Sequence, residues 1–448
     1  MKKAIALFLV TAMSAATFVG CGSNSTTSNN SSSSSPAVSS QTASATEIKK
    51  DITLTFGSHQ SGLPTSGIVQ KISEEYTKKT GVKIDYQISP DAQWKDIIKT
   101  KLASGEAPDI FCVDSGTSLE VEYHVSKNCV DLTNADWVSR MDKSSVPMVS
   151  TDNKVYGITF PGYKIWWYYY NKKMFSDLGL KVPTNYQEFK DVCAKIKATG
   201  VTPIYEAVQD GWHQQLPIYE LGGLYTSKHE NLYEDINTHK KTFQDIPELQ
   251  TVITQMQEFQ KLGYYGKDFM SNSQSNSSKA FADGKVAMVL DGFGWEQQTN
   301  KDFPDTTDNI GFFVMPWGDN QVLGVNPASN AYFIYSKSKY ADDAKAFFDY
   351  LAKPEVLQQR LDGDPTALAL CWPEIKAKYP QAYTDYINSL KHGLVVQVGV
   401  PYSGSQWMDV GKDVAAMYVG GMSPDTVVKN MQQRIDKQAQ LVKDPNWK

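Results

Sequence analysis

Residues 51–60, DITLTFGSHQ, residues 81–90, GVKIDYQISP, and residues 108–114, PDIFCVD, decide the fold between them. In the first, Ile52, Leu54 and Phe56 alternate with polar residues, the period-two signature of a strand, and Gly57-Ser58-His59-Gln60-Ser61-Gly62 forms its exit loop. Ile68, Val69, Ile72 and Tyr76 then share one helical face, which Gly81 ends. Val82, Ile84, Tyr86 and Ile88 alternate as a second strand, Trp94, Ile97, Ile98 and Leu102 line a second helix, and residues 108–113 make a third strand. A βαβαβ unit of this kind predicts a mostly parallel sheet with right-handed crossovers. Polar ligand groups then collect beyond the carboxyl ends of its strands, where loops and helix N-termini converge. Two places are marked by that rule: Ser58-His59-Gln60 and Asp114-Ser115.

A second α/β region begins near Phe160. Residues 165–170, IWWYYY, read as a strand by their aromatic content, and residues 171–178 turn into a short helix. Further helices are expected from Pro183-Thr184 to Gly200 and from Pro247 to Leu262, and a strand from Val286 to Leu290 exits at Asp291-Gly292-Phe293-Gly294-Trp295. The roughly four hundred residues of the body suffice for two or three domains. Within the 165–170 strand successive side chains face opposite ways, so Lys164, Trp166, Tyr168 and Tyr170 share one side.

Upstream of the body, Lys2 and Lys3 precede an apolar run that closes at Phe18-Val19-Gly20-Cys21. The run is shorter than the roughly 20 residues a spanning helix needs. We read residues 1–21 as an export signal ending at a cysteine that carries lipid, with Phe18 where a lipobox usually has Leu; the alternative is a plain signal peptide with a chance cysteine. Residues 22–47 are Ser, Asn, Thr, Ala and Gln with little to bury, a disordered tether. Lys+Arg 44 and Asp+Glu 49 are interspersed, which excludes an electrostatic footprint for nucleic acid. Cys112, Cys129, Cys193 and Cys371 show no metal-ligand spacing and read as buried thiols, a Cys112–Cys129 disulfide being the alternative in an exported protein. The six histidines form no HxxxH pair, so neither a metal nor a cofactor is expected.

The ordered series Ser104-Gly105-Glu106-Ala107-Pro108-Asp109-Ile110, Tyr156-Gly157-Ile158-Thr159-Phe160-Pro161, Tyr169-Tyr170-Asn171-Lys172-Lys173-Met174-Phe175, Phe281-Ala282-Asp283-Gly284-Lys285-Val286-Ala287-Met288, Gly294-Trp295 and Ala344-Lys345-Ala346-Phe347-Phe348 spans nearly the whole body. It resembles the extracellular solute-binding proteins of ATP-binding-cassette importers, in the carbohydrate-binding family related to maltodextrin- and glycerol-phosphate-binding proteins. The resemblance implies a periplasmic-binding-protein-like fold, two mixed α/β lobes joined by a hinge that the chain crosses more than once. By that analogy the first lobe holds residues 48–160 plus 322–365 and the second 161–321 plus 366–448. It further implies a monomer that catalyses nothing, binds a carbohydrate and delivers it to the transmembrane subunits of an ABC permease, tethered by lipid at Cys21 on the outer face of the membrane.

A sugar presents flat C–H faces edged by hydroxyls, so its site needs aromatic plates and polar side chains around them. His59, Gln60 and Asp114 are the first-lobe candidates for the hydroxyls, against a satisfied loop histidine and an N-cap. The resemblance places stacking aromatics at Trp295 and Trp407, sets Trp212 upstream of Gly222-Gly223, and aligns Lys164 with an acidic sugar contact of the family. Lys164 therefore points away from a maltodextrin and toward an acidic sugar. Trp166, on the face of Lys164, is preferred to Trp167, and Asp291 joins the set at its strand exit; lobe packing is the alternative for the aromatics. Two rival functions stay open. A glycoside hydrolase would need two carboxyls about 5–10 Å apart, for which Asp114, Asp291 and Glu296 are available. The same fold could instead bind a polyamine or a peptide, although a polyamine calls for carboxylates where Lys164 stands.

Overall fold

The computed structural model describes residues 49–447. The export signal, the tether and Cys21 lie outside the described residues.

Strands β1 (Thr53–His59), β2 (Lys83–Ser89) and β3 (Ile110–Asp114) alternate with helices Ile68–Thr80 and Asp91–Ser104 as expected from the opening stretch. Gly81 ends the first helix at φ 81°, its amide donating to the Thr77 carbonyl; a Cβ there would lie 2.1 Å from the Lys50 carbonyl oxygen. Only glycine fits both demands. A hairpin of β4 (Ser150–Thr151) and β5 (Lys154–Val155) turns on Asp152 and Asn153, both at positive φ, and β6 (Gly157–Thr159) follows.

The second region contributes β7 (Trp166–Asn171), β8 (Thr202–Tyr205), β9 (Val286–Gly292), β10 (Ile310–Phe313), β11 (Val322–Val325), β12 (Asn330–Ile334) and β13 (Lys391–Leu394). Two main sheets result. The first has the order β2-β1-β3-β12-β6, parallel through β1, β2 and β3, with β12 antiparallel to both β3 and β6. The second has the order β10-β7-β9-β8, and β11 pairs β13 in parallel beside it. The first sheet is thus mixed because a strand from late in the chain, β12, returns to it, and the second because β8 runs parallel to β9 while β7 is antiparallel to both β9 and β10.

Each sheet has its own core. Phe56, Ile110, Phe111, Tyr332 and Phe333 pack under helices Ile68–Thr80, Ala341–Leu351 and Pro354–Asp362, together with Cys371 and Trp372. β7 divides the other sheet's packing by strict alternation: Tyr168, with Trp166 and Tyr170 partly buried, faces a large core holding Phe189, Phe259 and Val414, whereas Trp167 and Tyr169 face a smaller one with Phe281, Trp295 and Tyr383. In that smaller core Trp167 stacks on Phe312, centroids 4.6 Å apart. The four cysteines of the body are buried free thiols.

Between the sheets the chain runs in neighbouring segments. Lys164 pairs with Asn326 and Pro161 with Leu370 as isolated antiparallel bridges, so the connections lie side by side. These connections form a hinge between two mixed α/β lobes.

Candidate functional site

Strand ends and loops bring charged and aromatic groups together where the hinge meets both sheets. Lys164 is fixed by its backbone, its amide donating to the Asn326 carbonyl (2.8 Å) and its carbonyl accepting from the Asn326 amide (3.0 Å). Its ammonium stands 3.9 Å from Oδ1 of Asp114, the last residue of β3. Asp114 is exposed and Lys164 half-buried, so this ion pair at 3.9 Å contributes little to stability and leaves both groups available.

The same lysine also acts on a carboxyl from the other side. Glu220 is 2 % exposed, its Oε2 has no hydrogen-bond partner, and burial pushes its carboxyl up to about 8 while the Lys164 charge pulls the other way. Its backbone is pressed against β11, where a Cβ on Gly324 would sit 2.2 Å from the Glu220 carbonyl oxygen. Lys164 therefore lies between a first-lobe carboxylate and a buried carboxyl of the second lobe. Sequence reasoning passed over Glu220. The signal was a single acid inside the apolar run Leu216-Pro217-Ile218-Tyr219-Glu220-Leu221-Gly222-Gly223-Leu224, where burial without a charged partner is the unusual outcome.

Trp166, on the same face as Lys164, meets Trp212 edge to face at 5.6 Å, and both rings are half-buried. The ring lies against Gly292, where an added Cβ would touch it at 3.5 Å. Trp212 is held from behind. His213 packs 5.4 Å away, donates from Nε2 to the Leu290 carbonyl (2.7 Å), and has Nδ1 3.7 Å from Oε1 of buried Glu206. Burial disfavours the charged ring, but the neighbouring Glu206 carboxylate raises the His213 pKa overall.

Trp407 opens the helix Trp407–Tyr418, half-buried against the large core. A side chain on Gly411 of that helix would place its Cβ 1.9 Å from the Gly211 carbonyl oxygen, and Gln214 Nε2 donates to the Gly411 carbonyl (2.7 Å). The helix that presents Trp407 is thus locked to the loop that presents Trp212.

On the first lobe, His59 ends β1 with its Nδ1 3.0 Å from Ser61 Oγ and 3.3 Å from Asp91 Oδ1. Burial works against its charge, but Asp91, with Cys112 and Asp114, outweighs it and raises the imidazole to about 10. His59 is therefore a cation at neutral pH, clasped by Asp91. Gln60 beside it is exposed.

Two of the expected contacts are placed differently. Trp295 is 5 % exposed in the smaller core, between Tyr169 (4.9 Å) and Phe281 (5.4 Å), and its indole N–H donates to Ser277 Oγ. Its faces are occupied by protein, which is the packing alternative. Asp291 is also buried: it accepts from Gln274 Nε2 (2.9 Å) and from the Gly292 amide (2.7 Å), and burial raises its carboxyl to about 6 against the charge of His213. It ties β9 to the loop around Gln274. Glu296 accepts from the Tyr383 hydroxyl beside the smaller core. The structure thus gathers Lys164, Asp114, Trp166 and Trp212 at the hinge and sets Trp295 and Asp291 into the second lobe.

Two mixed α/β lobes on side-by-side connections, with an indole corner and opposed charges at their border, define a hinged binding protein. Residues 61–358 match the model of the bacterial extracellular solute-binding protein family, and the chain belongs to that family. It is similar to the multiple sugar-binding protein of Streptococcus mutans, 24 % identical over 309 residues, covering 67 % of this chain and 72 % of that one. Among solved structures it resembles a sugar transporter from Bacillus licheniformis in complex with stachyose (TM-score 0.71, 20 % identity, 86 % of this chain and 100 % of that one). It also resembles the solute-binding protein RafE in complex with raffinose (TM-score 0.65, 23 % identity, 86 % of this chain and 99 % of that one). These structural likenesses extend to the fold.

Proposed function

We propose that this protein is the receptor of an ABC-type importer that captures a sugar, in particular an oligosaccharide, between its lobes and passes it on unaltered to a membrane permease. One observation carries the reading: an open-edged tryptophan corner, Trp166 against Trp212, beside Lys164 and exposed Asp114. Indole faces suit the C–H faces of a pyranose, and the two charges suit its hydroxyls. The sugar-named relative and the sugar complexes of the same fold support it. Engagement of Asp291 by Gln274 and of Glu296 by Tyr383 weighs against a hydrolytic carboxyl pair.

Capture works by population shift. A ligand that touches both lobes binds the closed arrangement better than the open one and displaces the equilibrium toward it. Lys164, on a connecting segment and within reach of Asp114, senses both sides. We assign the first lobe to residues 48–160 with a return near residue 326, since β11 pairs with β13 beside the second sheet while β12 joins the first. Lipid attachment at Cys21 and a monomeric body complete the proposal.

A panel of raffinose, stachyose, xylo-oligosaccharides and chito-oligosaccharides read by thermal shift tests it. A ligand of the native state raises the melting temperature with its concentration. Flat curves for every sugar, with a response to spermidine or to peptides, would replace the sugar by another solute in the same cleft.

A further inference from the structure

The alternation that turns Lys164 toward Asp114 turns its neighbours Tyr163 and Ile165 to the opposite face of the connecting segment, and there they line a second cavity of about 490 Å³. Its other walls are Val325 and Pro327 from the neighbouring connection, and Tyr379, Thr384, Ile387 and Leu394 from the segment that follows the second core's last crossing. The lining is mainly apolar, with hydroxyl, amide and imidazole groups from Ser144, Thr384, Asn388 and His392 and no lysine, arginine or carboxylate. Large apolar side chains are left open to solvent here: Tyr163 is 43 %, Tyr379 37 % and Leu394 48 % exposed. Both tyrosines are held in place. The Tyr163 hydroxyl lies 2.9 Å from Ser144 Oγ, and Tyr379 packs on Phe293 with centroids 5.2 Å apart.

A concave, preformed site of a few hundred cubic ångströms, apolar with a few convergent polar groups, is the form a small-molecule site takes. The absence of charge in the lining selects a neutral occupant, and two fixed tyrosine rings select a flat one. We propose that this hinge cavity is a second ligand site, distinct from the cleft at Trp166 and Trp212, for a neutral aromatic ring compound bearing a hydroxyl group. Ser144 lies in the loop between Met141 and Val149, both members of the first sheet's core, whereas Tyr379 and Ile387 pack with the second lobe. An occupant therefore contacts both lobes and senses the hinge. The coupling, unlike the site itself, rests on the sugar-receptor reading, and by linkage it runs equally in both directions.

The test uses the intact protein and 2-naphthol as probe, read by saturation-transfer NMR. Thr384 lies half-buried on the helix Gln381–Ser389, so Thr384→Trp plugs the cavity from its rim without entering a core; Asn388→Trp, exposed on the same helix, is the second plug should the first unfold. We expect transfer to the probe with the natural protein and a loss of at least fivefold in either folded plug. No transfer to the natural protein, or equal transfer to a folded plug, would overturn the site. Saturating 2-naphthol should change the affinity of a panel-positive sugar at least twofold, and an unchanged affinity would overturn the coupling. A flat sugar panel with a positive probe signal would refute the sugar reading and leave the cavity assignment standing.

Discussion

At the scale of single residues, the indole corner and the buried acid beside it make opposite demands. Trp166 and Trp212 are half-buried, brace one another and lie at the edge of the large core. Trp212→Ala and Trp166→Ala should each weaken sugar binding by about tenfold or more, about 1.4 kcal/mol, and lower the melting temperature of the unliganded protein less than loss of a fully buried ring does. Titration calorimetry on the panel-positive sugar checks this, and an unaltered affinity removes the residue from the site. Trp295→Ala should do the reverse, lowering stability by roughly 3–5 kcal/mol through the cavity it leaves, because the ring lies between Tyr169 and Phe281.

Glu220 gives a pH signature. Its folded pKa, about 8, lies above that of an ordinary glutamate, so the folded state keeps a proton that the unfolded chain has lost. Stability from this group is intact below about pH 4.5 and declines as pH rises from there through 8. His59, raised to about 10, acts in the same direction between about 6.5 and 10, since its bound proton also favours the folded form. The protein should therefore melt at lower temperature at pH 9 than at pH 6. Glu220→Gln should flatten the part of that decline below pH 8, and a variant with the parent's full pH dependence would show that Glu220 titrates normally.

At the scale of elements, the site depends on a helix and a loop that touch through glycine. Gly411 brings the Trp407–Tyr418 helix so close to Gly211 that any Cβ collides with a backbone oxygen. Gly411→Ala must push the helix and the Trp212 loop apart, at a cost of about 1–3 kcal/mol, and should weaken sugar binding as well although residue 411 contacts no ligand in our account. Denaturant melts and calorimetry on that one variant check both effects; loss of stability with full affinity would uncouple the loop from the site.

This scale also shows what was legible in the sequence. The βαβαβ opening, the helix expected from Pro183-Thr184 and found from Tyr186, the helix from Pro247, and the division of the IWWYYY strand into two faces all follow from local periodicity. Alternation put Trp166 and Trp167 on opposite faces, and the resemblance, by its alignment at Lys164, chose Trp166. Trp295 could not be placed that way. Its flanking Gly292 and Gly294 read as an open turn, but Gly294 at φ 101° abuts the Thr366 backbone and steers the helix that follows so that the indole enters the smaller core. That contact is between residues far apart in sequence, as are Lys164 and Glu220, whose charges act on one another, and periodicity carries no record of either. The same holds for the return of β12 into the first sheet, which a resemblance to a family could suggest and a hydrophobic pattern could not.

At the scale of the whole molecule, two lobes with separate cores meet through the connecting segments, an apolar contact of Met148 with Val395 and Val398, and the packing of Val121 on the larger core. Relative motion of two lobes about such connections is what a receptor that must both trap and release requires. On the proposed function, a carbohydrate closes this hinge around Trp166 and Trp212. Small-angle scattering of the intact protein with and without the panel-positive oligosaccharide measures that closure directly. We predict a smaller radius of gyration at saturation, abolished in the Trp166→Ala, Trp212→Ala double variant at the same sugar concentration; a radius that no sugar changes would contradict the account.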